Sequence, residues 1–70
     1  MPDNESIGSQ LRAARKAARV SASEAGSATG VKANAVYNWE NGHSEPSASQ
    51  LLMLCRLYGI DLKDLSAAGQ

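Results

Sequence analysis

Apolar residues recur every three or four positions along the chain, and no stretch alternates with a period of two, so the pattern predicts helices throughout. Ile7, Leu11, Ala14 and Ala18 define a first helix over residues 6–18. Ser21 followed by Glu24 has the form of a capping box and predicts a second helix, which stops at Gly30. A third helix is expected from Ala33 to Glu40, with Val36 and Trp39 turned inward and Asn41-Gly42 ending it. The proline in His43-Ser44-Glu45-Pro46 marks a loop. Ser47 with Gln50 forms a second capping box, and the helix after it is strongly apolar from Leu51 to Tyr58. Asp61 is expected to cap a last short turn, Leu62 to Ala67. The expected fold is therefore all-α: a compact five-helix domain over residues 6–67, with residues 1–5 as a flexible tail and residues 68–70 fraying.

Seventy residues make one domain near the small end of what folds unaided. Cys55 is the sole cysteine, so no disulfide adds to a core of this size, and no metal cluster is expected. No run approaches the roughly 18 apolar residues of a membrane span. A soluble, cytoplasmic protein is the expectation. Net charge is zero, which by itself argues against a nucleic-acid partner. Its distribution softens that objection. Residues 1–38 carry five basic groups (Arg12, Arg15, Lys16, Arg19, Lys32) against three acidic ones (Asp3, Glu5, Glu24). Arg12, Arg15, Lys16 and Arg19 share a helical face, either as a solvated flank of the core stripe or as a ridge facing phosphate.

Two short helices joined by a turn containing glycine, with further helices closing a core, form a helix-turn-helix arrangement. Leu11 to Arg15, Val20-Ser21, Gly30-Val31, Val36, Trp39-Glu40-x-Gly42, Pro46-Ser47, Leu51, Leu52, Leu57, Gly59-Ile60 and Leu62 together resemble the lambda-repressor-like family. That family includes Cro, phage repressor domains and the XRE group of bacterial regulators. The resemblance runs over about residues 7–66. It implies double-stranded DNA as partner, with Ser21 to Thr29 lying over the DNA backbone and Lys32 to Glu40 as the recognition helix in the major groove.

On that helix Lys32, Ala33, Asn34, Tyr37 and Asn38 would face the duplex. Asparagine can pair bidentately with adenine, alanine can touch a thymine methyl, and lysine can reach guanine or phosphate. Asn34 and Asn38 also suit an ordinary solvated surface. Ser21, Ala22, Asn41 and Arg12 complete the expected contact set, the backbone N–H groups of Asn41 and Gly42 being offered to phosphate. Ala22 stands where the family commonly has glutamine, and Ala25 and Thr29 stand where it has leucine, with Gly26 between them. A poorly packed second helix is the resulting expectation. The resemblance also implies a partly buried ion pair between Arg15 and Glu40.

The remaining residues point to no further chemistry. Trp39 reads as core and Cys55 as an inert buried thiol. His43 stands alone in a loop, with no ligand cluster for a metal. No nucleophile–base–acid set or substrate pocket stands out, so neither enzymatic activity nor a cofactor or small-molecule ligand is expected. A single domain of this kind buries roughly 600–1,000 Å² on DNA, which favours a homodimer on a palindromic operator. Leu54, Leu57, Ile60, Leu62 and Leu65 are the candidates for its contact surface. The competing reading is a protein-interaction module on the same fold, of antitoxin or adaptor type, which the zero net charge and Ala22 favour.

Overall fold

Four α-helices and a closing 3-10 turn make up the computed structural model, which describes residues 7–65. They are α1 (Ile7–Ala17), α2 (Ala22–Thr29), α3 (Ala33–Glu40) and α4 (Ala48–Tyr58), followed by the turn Leu62–Leu65. The expected fifth helix is thus a 3-10 turn among the described residues. Asp61 stands at its cap position, and the Asp64 carboxylate accepts a hydrogen bond from the Asp61 N–H at 3.2 Å. The tail at 1–5, residues 66–67 of the turn and the fraying end at 68–70 lie outside the described residues.

Local chemistry accounts for the helix boundaries. Both capping boxes form. Ser21 Oγ accepts from the Glu24 N–H while the Glu24 carboxylate accepts from the Ser21 N–H, and Ser47 and Gln50 repeat the arrangement at α4. Gly30 and Gly59 close α2 and α4 in the left-handed conformation, at φ 82° and 75°.

Leu11, Val36 and Leu54 are the largest wholly buried side chains, one each from α1, α3 and α4. Burying each of these is worth about 1.5–3 kcal/mol, and Trp39, Tyr58, Cys55, Ala22, Ala25 and Leu65 complete the core around them. Two of the expected dimer residues, Leu54 and Leu65, therefore belong to the core, and Ile60 packs half-buried against it. Leu57 and Leu62 remain exposed, together with Leu52 and Met53.

The second helix is not loosely packed. Its small residues let it approach α3 closely: Ala25 is wholly buried, and Gly26 lies under the turn between the helices. A Cβ on Gly26 would lie 2.6 Å from the Val31 carbonyl oxygen, so only glycine fits this crossing. Thr29, buried in place of a larger apolar residue, satisfies its hydroxyl by donating to the Ala25 carbonyl at 2.9 Å. The packing of α2 fixes the tilt of α3, whose outer face then looks into solvent.

Candidate nucleic-acid interface

Helix α3 is amphipathic over only eight residues, and its two faces are sharply divided. Val36, Trp39 and Glu40 are buried, whereas Lys32, Asn34, Tyr37, Asn38 and Asn41 are exposed. Asn34, Tyr37, Asn38 and Asn41 follow at i, i+3, i+4, i+7 and form one outward stripe. Ala33, at the start of the helix, is half-buried, with its methyl packed against the core. The N-terminus of α3 differs from those of its neighbours. Helices α2 and α4 begin on a side-chain cap, but α3 begins at Lys32 with no side-chain cap hydrogen bond and no acidic residue in its first turn. Its leading N–H groups and the Lys32 ammonium thus present positive potential at one exposed end.

The far end of α3 is anchored by Arg15. Its guanidinium donates from Nε to Glu40 Oε2 at 2.7 Å and from Nη2 to Glu40 Oε1 at 3.2 Å, a bidentate arrangement. Nη1 donates to the Val20 carbonyl at 3.0 Å, so one side chain joins α1, the α1–α2 turn and the end of α3. The hydrogen bond to Glu40 raises the Arg15 pKa above its ordinary value, burial opposing it. The guanidinium also lies 5.9 Å from the centre of the Tyr37 ring, within cation–π range. Tyr37, half exposed, is thereby held on the outer stripe. Nothing in the spacing of Arg15 and Tyr37 signals that contact, because it depends on how α1 crosses α3.

The other expected contacts divide. Ser21 is exposed, and its oxygen accepts the capping hydrogen bond, which leaves the hydroxyl proton to donate elsewhere. Arg12 is exposed. Ala22 is buried, so its side chain has no route to a duplex. The Asn41 and Gly42 N–H groups are not free for phosphate either, since they donate to the carbonyls of Tyr37 at 2.9 Å and Trp39 at 3.3 Å. Arg15 leaves the proposed basic face by turning inward to Glu40, while Arg12, Lys16 and Arg19 stay exposed. Cys55 is a buried free thiol whose pKa burial pushes up. No group of three or more potential metal ligands occurs among the described residues. No described helix is long and apolar enough to cross a membrane.

Comparison with known proteins agrees with this geometry. The helix-turn-helix domain family matches residues 6–68. Among solved structures, the P22 c2 repressor protein, crystallised in complex with synthetic operator 9T in the presence of Tl+, is similar to the chain. The TM-score is 0.77 at 28% identity, over 86% of this chain and 91% of the repressor chain. No curated protein matches the sequence.

Proposed function

Because the chain belongs to the lambda-repressor-like family of helix-turn-helix domains, we propose that it is a non-enzymatic transcriptional regulator that binds double-stranded DNA in a sequence-specific manner, as a repressor of prokaryotic or phage type. The observation that carries this reading is the outer face of α3: an uncapped, cationic N-terminus followed by a stripe of Asn34, Tyr37 and Asn38. Such a helix fits the major groove with its first turn toward the bases. Lys32 meets guanine or phosphate there, and the two asparagines read base edges. Ser21, Asn41 and Arg12 flank that face as contacts to the DNA backbone. The compartment is the cytoplasm, where the DNA of such a cell lies.

Two copies on a palindromic site are the natural arrangement for a domain with so small a footprint. Their contact falls to the exposed Leu57 and Leu62, with Leu52 and Met53 beside them, since Leu54 and Leu65 are core. Sedimentation of the protein with and without its duplex tests this, and Leu57→Glu should leave folding intact while abolishing the dimer. A variant that still binds DNA two-to-one would remove the contact from this face.

Equilibrium binding to a duplex of random sequence at several salt concentrations separates DNA binding from the rival protein-interaction role. Phosphate contact makes affinity fall steeply and linearly with salt on logarithmic axes. Binding that is absent, or flat with salt, would favour the interaction module.

A further inference from the structure

Four described residues have left-handed backbone: Gly30, Gly42, Gly59 and Arg19, the last at φ 61°. Arg19 closes α1 much as the glycines close α2 and α4. The Val20 N–H donates to the Arg15 carbonyl at 3.1 Å and the Arg19 N–H to the Lys16 carbonyl at 3.0 Å, the paired hydrogen bonds of a Schellman end. A side chain at this position strains against its own backbone, a cost that glycine avoids. The turn's backbone hydrogen bonds would form with glycine as well, and among the described residues no contact of the arginine side chain offsets the strain. The Arg19 side chain is exposed and has no ion-pair partner among the described residues. Residues held in disfavoured backbone for no internal gain point to function.

Its surroundings say which function. Arg12, Lys16 and Arg19 follow at i, i+4, i+7, all exposed and all without an ion-pair partner among the described residues. Arg15, between them on the same flank, is bound to both Glu40 and the Val20 carbonyl. The Arg19 turn is therefore fastened to the C-terminal end of α3 through Arg15, and Arg12 and Lys16 continue the exposed flank of α1 from it. On this flank Ala22 is buried and the Asn41 and Gly42 N–H groups are engaged, so exposed side chains must meet a phosphate, and among them the cations supply the charge that the Ser21 hydroxyl and the Asn41 amide lack.

We propose that Arg19 contacts a DNA phosphate on this flank, with Arg12 and Lys16 extending the strip, and that the left-handed arginine persists for the cation it supplies. This rests on the DNA-binding reading above. The test uses the full chain, a random-sequence duplex, and three variants. Arg19→Gly and Arg19→Asn suit left-handed backbone but lack the charge, while Arg19→Lys keeps it. The neutral variants should melt at or above the parent temperature yet bind more weakly. Their slope of log affinity against log salt should be shallower by about one unit, the value expected for one lost phosphate contact. Arg19→Lys should keep the parent slope. Neutral variants that bind with the parent slope, or that melt well below it, would overturn the assignment to Arg19. A parent that binds no duplex would instead overturn the DNA-binding reading, and this proposal with it.

Discussion

Arg15 and Glu40, 25 positions apart in sequence, form a bidentate ion pair whose side chains are 10% and 3% exposed. Removing either partner strands the other charge away from water, which commonly costs about 3–5 kcal/mol. Removing both, as in Arg15→Met with Glu40→Leu, should cost less than the sum of the single changes. A double-mutant cycle by chemical denaturation measures that difference. Additive effects would show that the pair contributes no coupling.

Gly26→Ala should destabilise the domain although alanine is the better helix former. The intrinsic preference is worth about 1 kcal/mol in favour of alanine. Against it stands a Cβ 2.6 Å from the Val31 carbonyl, a backbone atom that cannot rotate away. Overpacking of this kind costs about 1–3 kcal/mol, and α3 must shift to relieve it. Thermal unfolding should show a lowered midpoint. A raised midpoint would mean that α2 and α3 are less closely apposed than described here.

Tyr58 has a buried hydroxyl with no hydrogen-bond partner among the described residues, and its pKa is pushed up to about 12, chiefly by burial and further by Glu40, with Arg15 opposing. Since the folded value exceeds the ordinary 10, the neutral phenol is favoured in the fold, and its contribution to stability is intact below pH 10. It declines as pH rises from 10 toward 12. Spectrophotometric titration in a Tyr37→Phe background isolates this group. A Tyr58 midpoint near 10 would contradict its burial. Tyr58→Phe should preserve stability or raise it by about 1 kcal/mol, because it removes an unsatisfied polar group.

The helices were legible because each carries its own punctuation. Ser21 with Glu24, Ser47 with Gln50, and the glycines at 30 and 59 mark the ends of α2 and α4 without reference to tertiary structure. The burial of Val36 and Trp39 follows in the same way from helical spacing. What escaped depends on contact between elements. Ala25 and Gly26 look like weak packing when compared with leucine, and only the close crossing onto Val31 shows why small residues are required. Leu54 and Leu57 are indistinguishable in the apolar run of α4, yet one is core and the other surface. The left-handed Arg19 left no such mark: no glycine separates α1 from α2, and a helix can end without a left-handed residue at its cap, as α3 does at Asn41.

Reading of DNA by α3 is tested most directly by selecting duplexes from a random pool and measuring Asn34→Ala and Asn38→Ala on the enriched sequence and on its single-base variants. Both side chains lie on the exposed stripe, four positions apart, clear of the core. An asparagine paired with a base edge contributes about 1–3 kcal/mol of discrimination, so each alanine variant should lose preference at one base pair while its affinity for the other sequences changes little. Failure of the parent to enrich any duplex, or alanine variants that discriminate as the parent does, would contradict a reading role for this helix.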